Sequence, residues 1–168
     1  MLDYDFQGKI RIAVIGGSDA SNEALKEAEA VGQLIAKNNC ILVTGGLGGV
    51  MEAASRGAKE AGGVVMGILP GISRLEKNPY VDIAIPTGLG WIRNVQVVLN
   101  ADVLIAIDGA YGTLSEISYA LLYGKPVFGL KTWVLSKAEE KSGKGVISCL
   151  SPQEAVEKAL KAVAISDG

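Results

Sequence analysis

Two charged side chains and four glycine-bearing turns supply most of the chemistry this sequence can offer. Glu116 closes the stretch DGAYGTLSE (108–116), and Arg93 sits in TGLGWIRN (87–94). A carboxylate at such a turn can activate water, or stabilise an oxocarbenium-like transition state while an N-glycosidic bond breaks. The same residues have a structural reading. Thr113-Leu-Ser-Glu116 has capping-box spacing, in which the Thr113 side chain accepts from the Glu116 amide and Glu116 accepts from the Thr113 amide. Arg93 falls in the first turn of a helix-like run, where a cation is mildly unfavourable. Its placement implies an anionic partner, either a phosphate or a neighbouring carboxylate. Asn94 suits the edge of a base or pterin, or equally the local backbone.

The turns share one pattern. Gly16, Gly17 and Ser18 lie in GGSDAS (16–21), and Gly45, Gly46, Gly48 and Gly49 in TGGLGGVM (44–51). Thr87, Gly88 and Gly90 lie in TGLGWIRN, and Asp108, Gly109, Gly112 and Thr113 in DGAYGTLSE. Each turn follows a strand-like run and opens a helix-like one. Glycine lets backbone N–H groups come close to a ligand, and a helix N-terminus carries about half a positive charge. One such turn would be only a quick way to reverse the chain. Four on one edge make a cradle for a phosphorylated small molecule. Neither GxGxxG nor GxxxxGK[ST] occurs, which speaks against NAD and P-loop nucleotide sites. Ser18 doubles as a helix N-cap, Met51 reads as core packing, and Lys125 as a solvated side chain.

Composition narrows the chemistry further. The chain has no histidine, which removes Ser-His-Asp and Cys-His nucleophiles and histidine-based metal sites. Cys40 and Cys149 each stand alone in an apolar stretch, match no zinc spacing and read as buried free thiols. No metal site is expected. With 168 residues, 49% hydrophobic and 20% charged, residues 1–168 are expected to form a single domain. The net charge of −2 and the lack of a Lys/Arg cluster argue against nucleic acid as a partner. Apolar runs fall short of the roughly 20 residues that span a bilayer. MLDYDFQGK carries no signal-peptide pattern. A cytoplasmic protein is expected.

These residues must be positioned by the elements between them. Strand-like KIRIAVIGGS, CILVTGG, VVMGILPG, DIAIPTG, DVLIAIDGA, PVFGLKT and VISCL alternate with helical runs. The helices are expected over 21–39, from Val50, over 89–101, from Thr113 and from Ser151. Ser151, Pro152 and Glu154 form a complete helix-start signature; residues 137–145 read as a charged loop. The alternation predicts an α/β fold, a doubly wound, mostly parallel Rossmann-like sheet with helices on both faces. In such sheets ligands bind beyond the carboxyl ends of the strands, where strand order reverses. The 89–101 run (Trp91, Ile92, Val95, Val97, Val98, Leu99) is apolar nearly all round, so it is expected to be deeply buried or at a subunit interface.

TGGLGGVMEAASRGAKEAGG, with Arg93-Asn94 and GAYGTLSE at 109–116, resembles two related Rossmann-like families. They are the LONELY GUY-type phosphoribohydrolases and the molybdenum cofactor carrier proteins, some of whose members are labelled lysine decarboxylase-like. The resemblance runs over about residues 9–165. ILP at 68–70, NPY at 78–80, TGLG at 87–90 and GKPV at 124–127 lean toward the carrier branch. In the phosphoribohydrolases, GGG-x-x-G-x-M and PGG-x-GT-x-x-E loops hold a nucleoside 5′-monophosphate. An arginine and the terminal glutamate there support release of the base from ribose 5-phosphate.

Gly45, Gly46, Gly49 and Met51 match the first loop, with Thr44 in place of its first glycine. Gly109, Gly112, Thr113 and Glu116 match the second, and Arg93 matches the arginine. Asp108 stands where proline is expected, and Ala110 where glycine is. Ala110 adds a methyl group toward the phosphate and resists positive φ. Asp108 at about 4 Å from a phosphate would repel it by roughly 4 kcal/mol at an effective dielectric near 20.

The resemblance therefore implies a phosphorylated heterocyclic ligand, a nucleotide or molybdopterin-type cofactor, held in a carrier-like role. The alternative it implies is a nucleoside 5′-monophosphate phosphoribohydrolase using Glu116 and Arg93. A structural or regulatory oligomer that binds an effector is a third option, and a PLP-dependent decarboxylase is unsupported. The resemblance also implies a homodimer or homotetramer, with Ile117, Leu121 and Leu122 near the interface.

Overall fold

The computed structural model describes residues 8–135 and 145–166. Its strands are β1 (Arg11–Gly16), β2 (Ile41–Thr44), β3 (Val64–Leu69), β4 (Ile83–Pro86), β5 (Val103–Ile107), β6 (Val127–Leu130) and β7 (Ile147–Ser148). They form one sheet in the order β4-β3-β2-β1-β5-β6-β7, with every pair parallel. The helices are α1 (Asn22–Lys37), α2 (Val50–Glu60), α3 (Asn94–Leu99), α4 (Tyr111–Leu122) and α5 (Pro152–Ser166). This is the doubly wound α/β architecture the alternation predicts. Among the described residues, no helix is long and apolar enough to cross a membrane.

Side chains alternate along each strand, so the central strands feed two cores. Ile12 and Val14 pack with Ala28, Val31 and Ile35 of α1, Ala54 of α2 and Val156 of α5. Ala13 and Ile15 point the other way, toward Val97 and Val98 of α3 and Ile117 and Ala120 of α4. Each fully buried Ile or Val contributes roughly 1.5–3 kcal/mol of transfer free energy. A shift of one residue in β1 would exchange the two sets, which fixes its register. Strand order reverses between β1 and β5, and Gly16 pairs with Ile107 at their carboxyl ends. The four turns gather around that point.

Several local expectations need correction. The 89–101 run is not one helix. It is a 3₁₀ turn, Gly90–Arg93, followed by the six-residue α3. Only part of its apolar surface is covered: Val97 and Val98 are buried, whereas Trp91 is 81% and Ile92 68% exposed. Ile117 lies in the core rather than on an outer face. The N-cap of α1 is Ser21, whose side chain accepts from the Ala24 amide, and not Ser18. Lys125 is not simply solvated: its Nζ donates to the carbonyls of Val98 (2.9 Å), Leu99 (3.3 Å) and Ala101, closing the end of α3.

At α5, Ser151 Oγ accepts from the Glu154 amide as expected. Glu154 reaches one residue further back, to the Leu150 amide at 2.7 Å. Cys40 and Cys149 are buried free thiols, and burial pushes both upward in pKa. The expected charged loop lies, apart from Gly145, outside the described residues.

Candidate functional site

A cavity of about 120 Å³ opens at the strand-order reversal. Gly16, Gly17 and Ser18 reach it from β1, and Leu47 and Met51 from the β2–α2 turn. Trp91, Arg93 and Asn94 come from the segment before β5, and Ala110, Gly112, Thr113 and Glu116 from the start of α4.

Two helices begin beside this cavity with no side-chain cap. The N-cap of α2 is Gly49, at φ 66. A Cβ there would lie 2.3 Å from the Gly17 carbonyl oxygen, so glycine is required. The Val50 amide donates to that same carbonyl at 3.0 Å, which locks the β1 and β2 turns together. The N-cap of α4 is Ala110. Helix-start amides have no intrahelical acceptor, and here no side chain satisfies them. Each uncapped start brings about half a positive charge to the region.

The helix begins at Tyr111, so Thr113 and Glu116 lie inside it and form no capping box. Both are buried and line the cavity. Ala110 is extended at φ −105, so its methyl group carries no backbone strain. Positive φ falls instead on Asp108 (φ 50) and Gly109 (φ 104). These two shape the turn without lining the cavity: the Asp108 amide donates to the Leu130 carbonyl at 3.0 Å, and its own carbonyl accepts from Thr132 Oγ1.

Arg93 and Glu116 form the charged centre. Arg93 is 5% exposed, and its Nη1 lies 3.8 Å from Glu116 Oε1. Nη1 also donates to Asn94 Oδ1, and Nη2 donates to the Gly45 carbonyl at 3.3 Å. A Cβ at Gly45 would stand 2.6 Å from both Nη2 and Met51 Sδ, so the guanidinium can dock on this backbone only over a glycine. Arg93 Nε is buried and has no hydrogen-bond partner among the described residues. Such an orphan is rare in folded proteins and demands a reason.

Burial pushes Glu116 up to about 8, with Arg93 opposing, and lowers Arg93, with Glu116 opposing. Arg93 and Glu116 thus face each other in a largely buried setting, and the neighbouring helix starts add positive charge beside them.

Other expected site residues lie elsewhere. Thr87 Oγ1 donates to the Leu69 carbonyl at 2.7 Å, and Gly88 and Gly90 amides donate to Gly71 and Pro70 carbonyls. That turn braces the loop after β3. The Gly46 amide donates to Thr44 Oγ1 at 3.0 Å, and neither Gly46 nor Gly48 lines the cavity. Asn94 Nδ2 donates to the Gly112 carbonyl and to Ser115 Oγ, so its amide serves local structure. Ala110 lines the cavity, as its place in the second loop suggests, and Leu47 and Trp91 line it although sequence patterning does not single them out as contacts. Trp91's place two residues before Arg93 was the only signal. Among the described residues no cluster of His, Cys, Asp or Glu is arranged to hold a metal ion.

Comparison with solved structures gives similar proteins over nearly the whole chain. The molybdenum cofactor binding protein from the phototrophic bacterium Rippkaea orientalis is 42% identical, with a TM-score of 0.85, covering 94% of this chain and 99% of that one. The molybdenum cofactor carrier protein from Chlamydomonas reinhardtii is 34% identical, with a TM-score of 0.80, covering 93% and 99%. An uncharacterised protein of Archaeoglobus fulgidus is 48% identical over 122 residues, 73% of this chain and 80% of that protein. The SLOG cluster4 family model matches residues 9–156, a span that takes in every turn around the cavity. The chain belongs to the SLOG cluster4 family.

Proposed function

We propose that this protein binds a phosphorylated heterocyclic small molecule, a nucleotide or molybdopterin-type cofactor, and acts as its carrier. The observation that carries the reading is Arg93: a buried guanidinium with an unpartnered Nε, beside a cavity where two uncapped helices begin. A phosphate satisfies all three, because it brings both negative charge and several acceptor oxygens. Of the expected contacts, Gly16, Gly17, Ser18, Gly112 and Thr113 are positioned for it, with Gly45 and Gly49 setting the shape behind them. The descriptions of the 42% and 34% identical neighbours support a cofactor as cargo.

A second reading is favoured by one observation, the buried Glu116 carboxyl that lines the cavity 3.8 Å from Arg93 and whose proton burial helps to retain. A neutral acid can give its proton to a departing base while water adds to the anomeric carbon and the C–N bond breaks, and the resulting carboxylate then takes the proton the added water loses. The carboxylate roles suggested by sequence, water activation and oxocarbenium stabilisation, need the ionised form and so a pH above about 8.

Incubation with AMP separates the two readings. Saturable binding without turnover supports the carrier; release of adenine and ribose 5-phosphate that is lost in Glu116→Gln establishes the hydrolase. Absence of binding by phosphates of any kind would refute both.

The proposal extends to assembly and setting. Apart from the buried Glu116, α3 and α4 carry no charged side chain, and Leu99, Leu122 and Tyr123 are exposed toward their C-terminal ends. A second copy covering that end gives a homodimer or homotetramer, measurable by light scattering. The buried free thiols suit the reducing cytoplasm.

A further inference from the structure

A groove of about 540 Å³ runs on from the cavity, between Trp91–Ile92 on one side and Tyr111–Tyr119 on the other. The two spaces share Trp91, Asn94, Ala110 and Gly112. Size separates their roles. The cavity has room for a phosphoryl group and little more, whereas small-molecule sites usually span roughly 300–1,000 Å³. The rest of a phosphorylated ligand must lie in the groove.

The groove is walled by exposed aromatic rings that neighbouring groups hold in place. Trp91 lies over the first turn of α4, where a Cβ on Gly112 would come within 3.6 Å of its ring. Tyr111 stacks at a tilt on Trp133, with ring centres 5.8 Å apart, and Trp133 Nε1 donates to the Ala110 carbonyl. Two polar side chains of the groove, Asn94 and Ser115, are already engaged. Asn94 uses its oxygen on Arg93 and its nitrogen on Gly112 and Ser115. Ser115 Oγ donates back to the Gly112 carbonyl at 2.7 Å.

We infer that this groove is a second subsite, which takes the flat ring of the phosphorylated ligand by its faces and leaves the ring's edges unread. The inference rests on the phosphate reading of the cavity. Stacking on an aromatic side chain tolerates any base, because every base has a π-face, whereas selection among bases needs free donors and acceptors. The site therefore distinguishes ligands with a ring from those without, and one base from another hardly at all.

Calorimetric titration of the full chain with ribose 5-phosphate, AMP and GMP tests this. AMP is expected to bind roughly 10- to 100-fold more tightly than ribose 5-phosphate, the range of one base stacking on an aromatic side chain. GMP is expected within about threefold of AMP. Trp91→Ala should bring AMP close to the affinity of ribose 5-phosphate, a fall at least tenfold larger than any it causes in ribose 5-phosphate binding, and Trp91→Phe should keep most of the difference. Ribose 5-phosphate binding as tightly as AMP would overturn the ring subsite alone. So would a more than tenfold preference between AMP and GMP, or a change of subunit number in Trp91→Ala, which would make the groove a contact between copies. If neither ribose 5-phosphate nor AMP binds, the phosphate reading fails and this inference with it.

Discussion

Glu116→Gln keeps the size and shape of a buried side chain and removes its ionisation. The carboxyl's ordinary value is 4.5, and burial raises it to about 8 in the folded protein. Below pH 4.5 both folded and unfolded chains hold the proton, and the group costs nothing. Between 4.5 and about 8 the unfolded chain releases the proton while the folded one keeps it. Stability then falls by up to about 1.4 kcal/mol per pH unit. The loss reaches roughly 3 kcal/mol by pH 7 and approaches roughly 5 kcal/mol above pH 8. Glutamine mimics the protonated form and escapes this loss. Urea denaturation of both proteins at pH 5, 7 and 9 isolates the effect, since every other titration cancels in the difference. Glu116→Gln is expected to match the wild type near pH 5 and to exceed it by a few kcal/mol at pH 9. Parallel stability curves, or a wild type that is the more stable at pH 9, would refute the reasoning.

Three further outcomes follow from the same geometry. Gly45→Ala places a methyl group against Arg93 Nη2 and Met51 Sδ; it is expected to lower stability by roughly 1–3 kcal/mol and phosphate affinity at least tenfold, read by denaturation and calorimetry. Lys125→Met removes the donor to the carbonyls closing α3; a loss of about 1–2 kcal/mol in thermal denaturation is expected, with phosphate affinity unchanged. Asp108→Asn tests the repulsion that sequence suggested: Asp108 does not line the cavity and Asn tolerates its positive φ, so phosphate affinity should change by less than about threefold.

The architecture was readable because apolar runs of strand length alternate with helical periodicity, and that pattern depends only on neighbours along the chain. The gathering of the first and fourth turns at one point was readable for the same reason: parallel topology puts every strand-to-helix turn on one edge. Side-chain direction was harder. Thr113 and Glu116 have capping spacing, but α4 starts two residues earlier, which rotates both into the protein. The lone Lys125 looks solvated until β6 is laid beside the end of α3. Trp91 and Ile92 read as buried in the core or at a subunit interface because their neighbours are apolar, and the 3₁₀ turn carries them out of the chain's own core. The raised Glu116 and the orphaned Arg93 Nε depend on burial by several segments distant in sequence, which no local pattern encodes.

The central claim is that Arg93 and the two uncapped helix starts hold a phosphate. Calorimetric titration of ribose 5-phosphate into the wild type and Arg93→Met at pH 7, with folding of the variant checked by denaturation, tests it most directly. Saturable binding to the wild type that is lost in a folded Arg93→Met is the expected result. Equal binding by both proteins, or no binding to the wild type, would contradict it.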